Sequence, residues 1–247
     1  MPAVHAHDLS KSYGSGHTRV DALKHATFSL GDGEFLALVG PSGSGKTTLL
    51  TIVGALLEPT SGEVIIGDRD ITRLSGRERT AFRARQIGFV FQSFNLVPFL
   101  TARENLTVMS SIARLERAEV NRRADRLLQE LDIDARRDNL PEQLSGGERQ
   151  RVAIGRALVT DPALILVDEP TASLDTTLGS QVVRLLGEEI KKRGKSGIMV
   201  THDSRMADFT DRTITILDGV LTDGEARAGA RARRRASGEV APQSGRS

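Results

Sequence analysis

The fold is decided by the stretch LALVGPSGSGKT, residues 36–47. Its first four residues are apolar and predict a short buried strand, while the run from Thr47 to Leu57 predicts a helix. Between them, Gly40 to Thr47 match the pattern G-x-x-x-x-G-K-S/T. A glycine-rich loop in this position can curl so that its backbone N–H groups and the helix start face phosphate oxygens. The stretch therefore predicts a phosphate-binding loop.

The residues expected to hold a chain of phosphates lie in this loop and directly after it. Lys46 is expected to contact the β- and γ-phosphates, and the Thr47 hydroxyl is expected to bind Mg²⁺. The remaining candidates line the loop or the helix start: Gly40, Pro41, Ser42, Gly43, Ser44, Gly45 and Thr48. The motif alone predicts nucleotide binding and does not indicate what the nucleotide drives.

Two acids follow the apolar run Leu164–Val167, which predicts another buried strand. In P-loop NTPases an Asp at such a strand end lies beside the phosphate loop, so Asp168 is a candidate Mg²⁺ ligand together with Thr47. Glu169 is the candidate for polarising an attacking water. Successive residues of a strand point in opposite directions, so the two acids can divide these tasks only because the strand ends there.

Strand and helix patterns alternate along most of the chain. Further strands are predicted at Val4–Leu9, Ala22–Leu30, Val64–Ile66, Ile87–Phe91, Ser196–Thr201 and, as the final strand, Thr213–Leu217. Helices are predicted in the region 93–160, including one with Val120, Ala124, Leu127, Leu128 and Leu131 on one face and one at Gly147–Leu158, and again at Thr177–Lys192. This order predicts an α/β fold with a mostly parallel sheet, covered on both faces, and a helical subdomain inserted at about residues 93–160.

Composition and charge limit the classes of function. The chain has no cysteine, which excludes disulfides, thiolate metal sites and cysteine nucleophiles. No stretch approaches the ~20 apolar residues of a membrane span and no signal-peptide pattern is present, so we expect a cytoplasmic protein whose membrane role depends on a partner. The net charge is +2, of which residues 226–247 contribute six arginines against one glutamate. The domain expected at residues 1–225 is thus mildly acidic and does not predict nucleic-acid binding.

The arginine-rich tail, residues 226–247, lacks apolar periodicity and is expected to be disordered. Its charges could contact anionic lipid headgroups, or they could stay solvated.

The segment LSGGERQR, residues 144–151, resembles the signature motif of ABC ATPases. With the phosphate loop and LILVDEP at residues 164–170, it occurs in the family's order, and the resemblance extends over about residues 4–224. It implies a P-loop NTPase core with an N-terminal antiparallel β subdomain and an inserted α-helical signature subdomain. It also implies a head-to-tail dimer of two copies, in which each ATP lies between one phosphate loop and four residues of the other copy: Ser145, Gly146, Gly147 and Glu148.

The same resemblance implies roles for five further positions. Glu169 would be the catalytic carboxylate, and His202 would contact the γ-phosphate and help to orient the water. Gln92 would touch Mg²⁺ or the water and report nucleotide occupancy to the helical subdomain. Asp175 would support the dimer interface, and Tyr13, the only tyrosine, would stack on adenine. Each of these residues could instead be an ordinary loop, turn or packing residue.

Residues 92–105, QSFNLVPFLTAREN, are similar to one branch of the family. That branch contains macrolide exporters, lipoprotein-releasing systems, haem exporters, peptide-resistance transporters and the cell-division ATPase. The resemblance implies a permease partner with a large extracytoplasmic domain and a location at the cytoplasmic face of the membrane. This stretch holds four apolar residues, of which either some line a groove for a permease helix or all pack inside the helical subdomain: Phe94, Leu96, Phe99 and Leu100.

Three functions remain open at this point. The first is a transport ATPase that powers export or extraction of an amphipathic molecule. The second is a cell-division type ATPase that regulates cell-wall hydrolases. The third is an ABC protein that acts on ribosomes or DNA without a permease, against which the single cassette and the absence of a heptad repeat argue.

Overall fold

The structure is a computed structural model that describes residues 2–171 and 176–223. Its elements are, in chain order, β1 (Val4–Tyr13), β2 (Val20–Leu30), β3 (Phe35–Val39), α1 (Lys46–Val53), β4 (Ser61–Ile66), β5 (Arg69–Asp70), α2 (Gly76–Gln86), β6 (Ile87–Val90), α3 (Ala102–Thr107), α4 (Met109–Ala113), α5 (Arg117–Glu130), α6 (Gly146–Leu158), β7 (Leu164–Asp168), α7 (Thr176–Lys192), β8 (Ser196–Thr201), β9 (Arg212–Leu217) and β10 (Val220–Asp223). Within those ranges, none of the helices combines the length and the apolar character needed to cross a membrane.

The strands form two sheets. The N-terminal sheet is antiparallel, with the strand order β2-β1-β4-β5. The larger sheet has the order β10-β9-β3-β8-β7-β6, and only β10 pairs antiparallel. The predicted α/β class, with a mostly parallel sheet and an antiparallel N-terminal part, is therefore confirmed. The predicted tail at residues 226–247 lies outside the described residues.

The larger sheet separates two apolar cores. Along β3, Phe35 and Ala37 point into one core while Leu36 and Leu38 point into the other, as the period of two requires. The first core contains α3, α5, α6 and α7, and the second contains α1 and the N-terminal sheet. Burial on both faces explains why β3 and β7 are continuous apolar runs rather than alternating ones.

The helical region agrees with its apolar spacing. The five residues predicted to share one face of a helix, from Val120 to Leu131, are all buried. They lie on α5 and at its C-cap, and α5 packs against α3, α4 and α6. The helix predicted after the phosphate loop is shorter than expected and ends at Val53, because Gly54 caps it and Ala55 turns the chain with a left-handed φ of 55°.

The expectation that Thr213–Leu217 is the final strand is wrong. The chain turns back at Asp218 and Gly219, whose φ angles are 49° and 80°, and continues as β10. Asp-Gly is a strong hairpin signal because both positions of such a turn need positive φ. The turn has a structural consequence, since Gly219 N–H donates to the Ser44 carbonyl at 3.0 Å and Lys24 N–H donates to the Gly219 carbonyl at 2.9 Å. The hairpin thereby supports the phosphate loop.

Because α6 packs closely on β6, one methyl group added at Gly88 should destabilise the fold. A Cβ on Gly88 would lie 2.3 Å from the backbone carbonyl oxygen of Ala157, so Gly88→Ala should push α6 away from the sheet. We expect a loss of about 1–3 kcal/mol in the free energy of unfolding, measured by urea denaturation. Gly76→Ala is the matched control, because nothing lies within 4 Å of its Cβ position. Equal stability of the two variants would contradict the packing described here.

Candidate functional site

The loop from Gly40 to Gly45 connects β3 to α1 and is held by glycines at points of close approach. A Cβ on Gly40 would lie 2.2 Å from the Ile216 carbonyl oxygen, and one on Gly45 would lie 2.3 Å from the Ala22 carbonyl oxygen. Gly45 also has a φ of 102° and caps α1. These contacts fix the curl of the loop, so that its backbone N–H groups and the start of α1 form an anion-binding concavity.

Lys46 folds over this loop. Its ammonium donates to the carbonyl oxygens of Gly40 at 2.8 Å and Pro41 at 2.9 Å, and its side chain is only 6% exposed. The Ser44 hydroxyl is also buried, and no protein group among the described residues hydrogen-bonds to it. A buried hydroxyl without a partner is costly, so the loop has unused hydrogen-bonding capacity beside a fixed positive charge. Phosphate oxygens would fill that capacity.

Asp168 ends β7 with a carboxylate that the protein compensates only in part. Its Oδ1 is buried and has no hydrogen-bond partner in the described part of the chain. Burial, and then the neighbouring charge of Glu169, raises the pKa of Asp168, while the Thr47 hydroxyl and Lys46 act in the opposite direction.

The chain turns at Glu169, directly after the last residue of β7. Glu169 has a left-handed φ of 44°, and its N–H donates to the Val200 carbonyl at 3.0 Å. Such backbone is uncommon for residues other than glycine and concentrates at functional sites. The predicted division of the two acids at the strand end therefore has a backbone explanation.

His202 is brought against Glu169 from the end of β8. The His202 Nδ1 lies 2.8 Å from the Glu169 Oε2, and the His202 backbone N–H donates to the same oxygen at 3.3 Å. On the other side, Glu169 Oε1 lies 4.0 Å from the ammonium of Lys46. Lys46, Glu169 and His202 thus form one cluster at the carboxyl ends of β3, β7 and β8.

Gln92 follows β6 by two residues, and its side chain is exposed. Val90 pairs with Val167 in the parallel register, so the chain after β6 leaves the sheet at the same edge as Asp168 and Glu169. The next residues, Phe94 and Asn95, both adopt left-handed φ angles.

The segment after Gln92 is held by side chains of α6. The sequence predicts the helix but not this contact. The Arg156 guanidinium donates to the carbonyl oxygens of Phe94, at 2.8 Å, and Asn95. Arg149 places its guanidinium carbon 5.5 Å from the centre of the Phe94 ring. Arg149 and Arg156 are seven residues apart and therefore share a face of α6. This spacing is visible in the sequence, but the sequence does not indicate which segment the two arginines contact.

The signature segment forms the start of α6. The Ser145 hydroxyl accepts a hydrogen bond from Glu148 N–H at 3.3 Å, and Glu148 accepts one from Ser145 N–H at 2.7 Å, a reciprocal capping box. These bonds lower the pKa of Glu148. The first N–H groups of α6, including those of Gly146 and Gly147, have no acceptor within the helix, as at the start of any α-helix. Gly147 packs closely on α7, since a Cβ added to it would lie 3.2 Å from a methyl carbon of Leu178.

The signature and the phosphate loop lie at the starts of two helices that pack on different elements. α6 packs on β6, α3, α5 and α7, whereas α1, which starts at the phosphate loop, packs on β2, β7 and β8. Tyr13 ends β1 with a 44% exposed side chain and Lys11 over its ring at 5.3 Å. Asp175 lies outside the described residues.

The predicted Mg²⁺ fits the residues of the site. The metal prefers oxygen ligands. The buried Asp168 Oδ1 has no partner, and the Thr47 hydroxyl acts on the same carboxylate. A cation bound there would compensate the buried charge.

The incompletely compensated charge of Asp168 predicts a pH-dependent cost to folding. Because the pKa of Asp168 is higher in the folded chain than its ordinary 3.8, the folded state binds its proton more tightly. The cost is absent below the unfolded pKa, grows as pH rises and is complete above the folded pKa. Asp168→Asn without nucleotide or Mg²⁺ should therefore stabilise the chain by about 1 kcal/mol at pH 7, with the gain vanishing near pH 4.

Thermal denaturation across pH measures this gain. Asp161→Asn is the control, since the Asp161 side chain is exposed and pairs with Lys195 at the surface. A gain independent of pH, or a loss at pH 7, would contradict the assignment of an incompletely compensated buried carboxylate at Asp168.

Comparisons with known proteins agree with this geometry. Residues 23–172 match the family model described as ABC transporter. HrtA of Staphylococcus haemolyticus, an ATP-binding protein named for hemin import, is 43% identical over 89% of this chain and 99% of its own length. LolD of Geobacter metallireducens, the ATP-binding protein of a lipoprotein-releasing system, is 46% identical over 86% of this chain and 94% of its own.

A solved structure adds the dimer and the nucleotide. The ATP-binding cassette MJ0796, dimeric and bound to ADP and phosphate after hydrolysis, superposes with a TM-score of 0.81 at 39% identity, covering 90% of this chain and 98% of that one. The two named relatives fall in the branch that residues 92–105 predict, which confirms that branch. The chain belongs to the ABC transporter family and is an ATP-binding and hydrolysing subunit of a membrane transporter.

Proposed function

We propose that Glu169 is the catalytic carboxylate of ATP hydrolysis in this chain. Its Oε2 is held by two groups of His202, and its Oε1 faces Lys46, so the carboxylate is oriented beside the phosphate loop. It would accept a proton from the attacking water, with His202 fixing its position. Lys46 would leave its carbonyl partners for the β- and γ-phosphates. The cluster of Lys46, Glu169 and His202 is the observation that carries this proposal.

The remaining roles follow from position. Asp168 and Thr47, with Gln92 from the neighbouring strand end, would hold Mg²⁺, which when bound neutralises charge that develops on the phosphate oxygens. The phosphate loop from Gly40 to Gly45 and the α1 residues Thr47 and Thr48 would surround the phosphates. Tyr13 would stack on adenine, where its exposed ring leaves one face accessible.

A head-to-tail homodimer completes the site. Ser145, Gly146, Gly147 and Glu148 form a second anion site at the start of α6, on elements that do not pack against α1. A dimer in which this site meets the phosphate loop of the second copy would use both anion sites, with Asp175 at the interface. ATP would then hold the two copies together and hydrolysis would release them.

The transporter partner is proposed to be a permease with a large extracytoplasmic domain, working in efflux or by mechanotransmission from the cytoplasmic face. HrtA and LolD, named for hemin import and lipoprotein release, support this branch. A groove of about 320 Å³ between α2, β6, α4 and α6 supports docking of a permease helix. Its apolar lining includes Leu56, Phe89, Phe91, Val97, Met109 and Ile112.

The four apolar residues named after Gln92 do not form this groove. Leu96 packs against the helical core, and Phe99 is 77% exposed. Asn95 and Val97 of the same stretch line the groove instead.

Removing the charge of Glu169 tests the catalytic assignment. Glu169→Gln should lower the ATPase rate by about 10²–10⁴-fold while ATP still binds, because it removes the proton acceptor and leaves the phosphate loop intact. Phosphate release and equilibrium nucleotide binding measure the two properties. Glu116→Gln, a change at an exposed acid on the far helical region, should leave both unchanged. Hydrolysis at the parent rate by Glu169→Gln would exclude Glu169 as the catalytic base.

Co-purification tests the partner. Glu169→Gln isolated from membranes of the source organism with ATP and Mg²⁺ should bring a permease that carries a large external domain. Recovery of ribosomes, or of no membrane protein despite bound ATP, would contradict the proposed transporter function.

A further inference from the structure

The permease groove has a charge that its own residues do not balance. Its described lining is apolar apart from a few polar groups, and it contains two guanidiniums, Arg83 and Arg156, but no aspartate or glutamate. Neither arginine forms an ion pair within residues 2–171 and 176–223. The groove thus combines an apolar surface with two partly buried positive charges.

A neighbouring arginine on α2 has the counterion that Arg83 lacks among the described residues. Arg79, one turn before Arg83 on α2, pairs with Glu58. Among the described residues, Arg83 bonds to the Ala55 carbonyl at 2.8 Å and the Thr80 hydroxyl at 3.5 Å. Burial, and then the nearby charge of Arg79, lowers the pKa of Arg83. A partly desolvated cation without a counterion is costly, so Arg83 has a reason to accept an anionic partner.

The two groove arginines differ in how their N–H donors are used. Both terminal nitrogens of Arg156 bond to backbone carbonyls of Phe94 and Asn95, and this residue holds the segment after Gln92. One terminal nitrogen of Arg83 donates to the Ala55 carbonyl at 2.8 Å, while the other makes a long contact of 3.5 Å to the Thr80 hydroxyl. Arg83 is therefore the groove cation with donors free to turn toward a docked segment.

We propose that Arg83 recognises a carboxylate on the apolar face of the permease helix that docks in this groove. The inference rests on the proposed permease partner and adds its chemistry: an amphipathic segment with large apolar side chains and one Asp or Glu among them. An Arg–carboxylate pair in this largely apolar groove discriminates strongly between permease segments with and without the acid, because a segment without it leaves Arg83 unpaired. Arg83 would thus select the cognate permease and would have no part in hydrolysis.

A zero-length cross-link locates such a pair. Arg83→Lys in the Glu169→Gln background keeps the charge and supplies an amine that a carbodiimide joins only to a carboxylate in direct contact. Complexes purified from native membranes with ATP and Mg²⁺ are treated with carbodiimide, and the linked residues are identified by mass spectrometry. Arg77→Lys is the matched control, since Arg77 is exposed on the same helix and does not line the groove.

We expect the position 83 amine to join to an Asp or Glu of a cytoplasmic permease segment, and the position 77 amine to give no such product. Arg83→Glu should lower permease recovery about tenfold or more, because it places a negative charge against the permease carboxylate. Arg77→Glu should leave permease recovery unchanged. Basal ATPase of the purified Arg83→Glu chain, with Glu169 restored, should equal the parent rate, which shows that the variant folds.

Two other outcomes are informative. Equal permease recovery with Arg83→Glu and the parent, without a cross-link at position 83, would overturn the carboxylate assignment and leave the permease proposal standing. Absence of any permease from the Glu169→Gln parent itself would overturn the proposed function and, with it, this inference.

Discussion

Parallel hydrogen bonding between β3, β8 and β7 is the constraint on which the site depends. Val39 pairs with Thr201, and Asp168 pairs with Val200, so the three strands end at one edge of the sheet. That edge delivers Lys46, Glu169 and His202 from positions far apart in the sequence into one cluster. A shift of register by one residue would reverse the faces of a strand and move its last side chain away from the cluster. The buried apolar strands are therefore also what positions the groups that we propose act in hydrolysis.

A second set of contacts joins this edge to the helical region. β6 ends beside β7, and Gln92 follows it. The carbonyls that come next in the chain are bonded by Arg156 of α6, the helix that starts at the signature residue Ser145. The chain therefore has a continuous physical connection from the nucleotide edge, through the Gln92 segment, to the signature and to the groove.

Much of this arrangement could be predicted from local patterns. The glycine-rich loop, the acids after Leu164–Val167 and the apolar spacing on α5 each require a particular backbone, and the structure has those backbones. The β10 hairpin is not predicted by apolar runs, because the run Val220–Leu221 is too short to mark a strand, but Asp218-Gly219 is a turn signal that points to it. The support that Gly219 gives to Ser44 was beyond the sequence, since it depends on a tertiary hydrogen bond.

Side-chain destinations were harder to predict than elements. Leu96 and Phe99 are both apolar and three residues apart, yet one is packed and the other is exposed. Apolar character alone cannot separate these outcomes in a loop, because there is no periodicity to define a buried face. Likewise, nothing in the sequence distinguishes Arg83, which lacks a carboxylate partner among the described residues, from Arg79, which has one.

Mixing two inactive chains tests the central claim, that one ATP is shared by the phosphate loop of one copy and the signature of another. Lys46→Ala disables the first surface and Ser145→Arg disables the second, so each variant alone should be inactive as an ATPase. In the mixed dimer, one site combines the intact phosphate loop of the Ser145→Arg chain with the intact signature of the Lys46→Ala chain. We predict that hydrolysis returns on mixing. A mixture that stays as inactive as its components, although the two chains associate, would contradict the head-to-tail account.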